Sequence, residues 1–129
     1  MIFDTDVLIW CFRGDSNAEA AIESCLDRTA SIVSIMEMLQ GAKSKIEIQL
    51  IRGFIPFIGL EVIPINESIS YLAARLIEEH TLAAGLELPD ALIAATALER
   101  GATLVTGNVR HFRSIALLDI KPFRPSGTK

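Results

Sequence analysis

The strand-forming segments of this chain are short and apolar from end to end, with helical patterns between them. Residues 1–4, 30–34, 61–64, 103–105 and 117–120 read as strands. A strand without polar alternation has to be covered on both faces. Joining such strands in parallel takes a connection of helix length, so the pattern predicts an α/β protein with a short parallel sheet flanked by helices. The segment from Ala91 to Leu98 agrees, because it keeps helical spacing with almost no polar face and must be buried nearly all round. A chain of 129 residues, half of them hydrophobic, fits one domain over 1–129 with a loose C-terminal tail from about residue 121.

Helix signals fill the gaps. A first helix is expected from Asp6 to Phe12, and a second runs to Leu26 behind Asp15, Ser16 or Asn17 as cap. A third starts near Ile35 and stops at Gly41, and a fourth, Lys43 to Phe54, ends before Pro56. Asn66 caps a helix from Glu67 to about His80, and Leu88-Pro89-Asp90 opens the apolar helix that Gly101 closes. Cys11 and Cys25 fall in these helices among apolar neighbours and read as buried thiols. The longest apolar stretch, Ile46 to Ile63, is broken by Glu47, Arg52, Pro56 and Glu61, so no membrane span is expected. The first residues carry Asp4 and Asp6 and no basic region, unlike a secretory signal, and a cytoplasmic location is the expectation.

Ligands of an open parallel sheet bind beyond the carboxyl ends of its strands, and four polar groups fall there. Asp4-Thr5-Asp6 leaves the first strand. Ser34 leaves the second, and Glu37 follows in the first helical turn. Asp90 opens the apolar helix, and Thr106-Gly107-Asn108 leaves the fourth strand. Each has a plainer explanation. Asp6 or Asp90 serves as a helix cap, Ser34 and Glu37 make a capping box, and Thr106-Gly107-Asn108 is a turn. Their conjunction on one sheet edge favours a site. Its oxygen donors suit Mg2+ or Mn2+ better than zinc. The net charge of −4 argues against a broad basic nucleic-acid face, leaving only local clusters at Lys43 and Lys45 and at Arg110 to Arg113.

Four segments carry a resemblance that spans nearly the whole chain. They are Ile2-Phe3-Asp4-Thr5-Asp6-Val7-Leu8-Ile9 and Ser34-Ile35-Met36-Glu37-Met38-Leu39-Gln40-Gly41, then Leu88-Pro89-Asp90-Ala91-Leu92-Ile93-Ala94-Ala95-Thr96-Ala97 and Thr106-Gly107-Asn108-Val109-Arg110-His111-Phe112. In this order they resemble the PIN-domain ribonucleases of the VapC toxin type. The resemblance implies a three-layer PIN-like fold and a Mg2+- or Mn2+-dependent endoribonuclease, with transfer RNA the favoured substrate and 3′-hydroxyl and 5′-phosphate product ends. It also implies a VapB-type antitoxin partner and a homodimer. Asp4, Glu37 and Asp90 match the family's metal-binding acids, and Thr5 and Thr106 its hydroxyl positions. The family often has a further acid in the last segment, where this chain has Asn108 and His111. Asn108 is then an uncharged metal contact or the holder of a metal-bound water, Asp6 a supporting residue first and a substitute acid second, and Ser34 is in a supporting place. Arg110, Arg113, Lys43 and Lys45 are the expected RNA-backbone contacts, and His111 is a further one or plain surface. A partner surface is sought among Trp10, Phe12 and Leu39, or along Ile48-Ile51-Ile55, although these also fit a core.

Three rival readings differ in class. A catalytically silent PIN-like binding module explains the missing fourth acid. A receiver-type signalling domain needs a phospho-accepting Asp after a central strand, and only the first strand here ends in one. A nucleotide-binding Rossmann domain lacks its glycine-rich loop.

Overall fold

The computed structural model describes residues 1–127. Its strands are β1 (Ile2–Phe3), β2 (Thr29–Ser31), β3 (Glu61–Ile63), β4 (Leu104–Thr106) and β5 (Ile120–Pro122). Its helices are α1 (Thr5–Phe12), α2 (Ser16–Glu23), α3 (Ile32–Gln40), α4 (Lys45–Phe57), α5 (Glu67–Ala84), α6 (Leu88–Arg100) and α7 (Val109–Phe112). The strands form one sheet in the order β3-β2-β1-β4-β5 with every pairing parallel. The chain winds outward from β1 on one side through β2 and β3, then crosses back to place β4 on the other. The order reverses beside β1, which is where an open parallel sheet leaves a crevice at its carboxyl edge.

Side-chain alternation divides the core into two layers. Ile2 and Leu104 turn to a cluster with Ile69, Ala73 and Leu76 of α5 and the buried face of α6. Phe3, Ala30 and Val105 turn the other way, to Val7, Leu8, Ile22 and Ile51 of α1, α2 and α4. From Ala91 to Ala97 every residue of α6 except Leu92 is buried, so the expectation of burial nearly all round holds. That sheet between two helical layers is the fold the strand pattern predicts. No helix among the described residues is long and apolar enough to cross a membrane.

Several boundaries move, each for a local reason. Asp4, not Asp6, is the N-cap of α1 and ends β1 after Phe3. Ser31 caps α3 by accepting from the Val33 amide at 3.1 Å, so β2 is Thr29–Ser31 and the helix begins at Ile32. The expected Ser34–Glu37 capping box therefore does not form: Ser34 lies inside α3 and Glu37 in its second turn. Asp90 is the third residue of α6 rather than its cap. Helix α4 carries Pro56 in its last turn instead of stopping before it. Helix α5 continues past His80 to Ala84, where Gly85 takes the left-handed conformation that closes it. Helix α2 ends at Glu23, leaving Cys25 just beyond it and half-buried, whereas Cys11 is buried in α1.

The loose tail does not begin at residue 121. Lys121 and Pro122 pair with Val105 and Thr106, Phe123 is buried, and Ser126 donates from its amide and hydroxyl to Asp15 Oδ1 at 2.9 and 2.6 Å. Residues 128–129 lie outside the described residues.

Candidate active site

Asp4 begins where β1 stops, at the reversal point of the sheet. Its carboxylate is buried, 4% exposed, and both oxygens are occupied. Oδ1 accepts from the Thr5 amide at 2.8 Å and Oδ2 from the Thr106 hydroxyl at 2.7 Å. Thr106 Oγ1 accepts in turn from the Asn108 amide at 2.9 Å, which ties the end of β4 to the end of β1. Burial pushes the Asp4 carboxyl up to about 7. The Thr106 hydrogen bond opposes that rise, and the nearby charges of Asp6 and Asp90 add to it.

The other acids arrive on three helices. Thr5, in the first turn of α1, donates its hydroxyl to Glu37 Oε1 at 2.6 Å, so α3 delivers Glu37 to the cleft from its second turn. Asp90 enters from the first turn of α6, where burial raises its carboxyl above the ordinary range. The charges of Glu37 and Glu87 add to this, and His111 opposes it. His111 Nδ1 stands 3.2 Å from Asp90 Oδ2. Asp6 accepts the Gly107 amide on Oδ2 at 2.9 Å, while its buried Oδ1 has no partner. Burial raises this carboxyl too. Gly107 leaves room for this contact, because a Cβ there would run into the Asp6 carboxylate and meet the Phe123 carbonyl at 3.2 Å.

These residues line one cavity of about 200 Å³: Asp4, Thr5, Asp6, Glu37, Glu87, Pro89, Asp90, Asn108 and His111. Five of them are carboxylates and one is an imidazole. Uncompensated carboxylates at this density repel one another, and a hard divalent cation answers both that repulsion and the partnerless Asp6 oxygen. Asp4, Glu37 and Asp90, with Asp6 and the Asn108 carbonyl, are an oxygen donor set that fits such an ion. Among the described residues no three of these side chains yet stand together as a formed metal site. Their oxygens are held by Thr5, Thr106 and His111.

Sequence reasoning placed Asp4, Thr5, Asp6, Glu37, Asp90, Thr106 and Asn108 at one sheet edge, and these are brought together. Ser34 is buried within α3, its hydroxyl without a partner, and it does not line the cavity. Lys43 and Lys45 are exposed at the start of α4 and Arg113 is exposed at the end of α7, all away from the lining. One participant, Glu87, was missed, and His111, expected as an RNA contact or plain surface, meets Asp90 instead. Glu87 stands one helical turn before Asp90, a spacing that puts both on one face. The contact between His111 and Asp90 depends on how α7 turns back over the cleft, and nothing local announces it.

The chain also resembles known proteins in family and fold. The PIN domain family model matches residues 1–118. Among solved structures, the chain is similar to a toxin–antitoxin complex from Klebsiella pneumoniae, with 31% identity over 91% of this chain and 93% of that one and a TM-score of 0.74. It is similar to VapBC2 from Rickettsia felis, solved bound to a DNA fragment from its promoter, with 25% identity over 96% and 100% of the two chains and a TM-score of 0.78. VapBC-1 from nontypeable Haemophilus influenzae gives 26% identity, 95% and 98% coverage and a TM-score of 0.76. The comparison with curated proteins gave no match.

Proposed function

Given that this chain belongs to the PIN-domain family, we propose that it is a VapC-type toxin and a Mg2+- or Mn2+-dependent endoribonuclease. The observation that carries the proposal is the convergence of Asp4, Glu37 and Asp90, from β1, α3 and α6, on one cavity at the reversal point of the sheet. A divalent cation bound there supplies a water of lowered pKa and neutralises charge on the phosphate.

The chain's own residues do the rest. The Thr5 amide and the Thr106 hydroxyl fix the Asp4 carboxylate, and the Thr5 hydroxyl orients Glu37. His111 steadies Asp90, and Asp6 holds the Gly107 backbone so that Asn108 faces the same cavity. Water adds to phosphorus and the bond to the 3′ oxygen breaks. The departing 3′ oxygen takes up a proton in place of the one the water loses, leaving 3′-hydroxyl and 5′-phosphate ends. Transfer RNA is the proposed substrate class.

Incubation of the purified protein with transfer RNA, in Mg2+ and in EDTA, tests this. Cleavage is expected only with the metal, and Asp4→Asn or Asp90→Asn should reduce it at least a hundredfold. Cleavage that persists in chelator or in both variants overturns the assignment. A second reading, a silent PIN-like binding module, is favoured by one observation: Asn108 and His111 stand where further acids are expected, and His111 already occupies Asp90. Titration calorimetry with Mn2+ separates the two, since the silent module takes up no ion.

The proposed partner is a VapB-type antitoxin, since the similar solved structures are toxin–antitoxin complexes. The protein is proposed to act in the cytoplasm and to pair as a homodimer. Of the apolar residues considered for partner contacts, Ile51 is core, Phe12, Leu39 and Ile55 are half-buried, and Trp10 and Ile48 reach solvent. Helix α4 also exposes Ile46, Leu50 and Phe57. Light scattering on the protein alone, and after mixing with a VapB-type antitoxin, reads both assemblies.

A further inference from the structure

A second cavity, about 410 Å³, lies against the acid cleft and shares Asn108 and His111 with it as a common wall. Its other walls include Gly107, Arg110, Phe123 and Arg124. The volume is in the range that holds a small ligand and admits about one nucleotide of a single strand. Both arginines are exposed, and among the described residues neither is in an ion pair.

Arg124 sits on backbone that is tied down on both sides. The Phe123 amide donates to the Thr106 carbonyl at 2.9 Å, and Asn17 Nδ2 donates to the Arg124 carbonyl at 3.2 Å. Two residues on, Ser126 is held by Asp15. Arg124 thus lines the cavity beside the cleft from a fixed strap.

The charge pattern says what belongs there. Five carboxylates line the acid cleft, in a chain whose net charge is −4, and they push a polyanion away. Two unpaired guanidinium groups next door supply the attraction that carries a phosphodiester up to those acids. Phe123 is buried and offers no stacking platform, so the charge of the two arginines makes the recess a grip on backbone phosphates. We propose that this cavity seats the phosphodiester backbone of single-stranded RNA next to the cleaved bond, with Arg110 and Arg124 pairing its phosphates. The proposal rests on the nuclease reading above and adds to it a substrate path and one residue, Arg124.

Binding is measured in the full chain carrying Asp4→Asn, so that cleavage does not interfere. The probe is a fluorescent single-stranded RNA of about 12 nucleotides, titrated by anisotropy across a salt series. Arg110→Ala and Arg124→Ala should each weaken binding roughly five- to tenfold and lower the salt slope by about 0.7, while Arg124→Lys keeps most of the affinity. Arg75→Ala, on the exposed side of α5, is the control and should change neither. Unaltered affinity and slope in Arg124→Ala, at an unaltered melting temperature, overturn the proposal. The unsubstituted protein is assayed in parallel for Mg2+-dependent cleavage. Cleavage with a silent Arg124→Ala condemns the path alone, whereas neither binding nor cleavage by any form condemns the nuclease reading and the path with it.

Discussion

Asp4 is a buried carboxyl whose folded-state pKa of about 7 lies well above the ordinary 3.8. The folded state therefore holds a proton that the unfolded state has released, and between about pH 4 and pH 7 ionisation works against folding. Asp6 and Asp90 are shifted in the same direction, also through burial first. With chelator present, the melting temperature should fall as pH rises through that window and level off above it. Asp4→Asn should flatten much of the slope, and scanning fluorimetry across pH reads both. Gly107→Ala tests the neighbouring contact. The added methyl meets the Asp6 carboxylate and the Phe123 carbonyl, so a loss of about 1–3 kcal/mol is expected by urea denaturation. Asp4 was legible because it is an acid leaving an apolar strand, and Glu37 and Asp90 because each falls near the start of a helix at the same sheet edge. His111 was not, because its partner lies 21 positions back in the chain and is met only once α7 has folded over α6.

At the scale of elements, the alternation of apolar strands and helices was readable, and their boundaries were less so. Five strands follow from short unbroken apolar runs and the buried α6 from helical spacing, whereas an end is decided by single hydrogen bonds. The run Ser31-Ile32-Val33-Ser34 looks like strand by its β-branched residues, yet Ser31 caps the Val33 amide and turns those residues into helix. That one cap shifts Glu37 from the first helical turn to the second. The two serines then make opposite predictions. Ser31→Ala should cost about 1 kcal/mol in urea denaturation through the lost cap. Ser34→Ala removes a buried hydroxyl that has no partner and should be neutral or stabilising. The end of the sheet was misjudged for a related reason. Leu117 is exposed and Leu118 joins the core, but the strand is set by Ile120 pairing with Leu104, a register that no local pattern displays.

For the molecule as a whole, the acid cavity is a place where stability and function pull apart. Asp90→Asn removes one of five crowded carboxylates, so above pH 7 and in chelator it should raise the melting temperature by about 3–5 °C, the equivalent of about 1 kcal/mol at this size. The unsubstituted protein should instead be stabilised by Mn2+, by about 2.7 kcal/mol at a hundred times the dissociation constant, and Asp90→Asn should lose most of that gain. A melting temperature indifferent to Mn2+ in both would count against the metal assignment. The central strand has one more consequence. Ile2 and Phe3 lie between β2 and β4, and the hydroxyl that fixes Asp4 comes from a residue 102 positions later. While the chain is being synthesised, the Asp4 carboxylate is made 102 residues before Thr106 and waits for it, as for Asn108 and His111. A ribosome that stalls or drops off before β4 releases a fragment with half a site, so the cleft assembles only in a chain whose synthesis has passed β4 and α7.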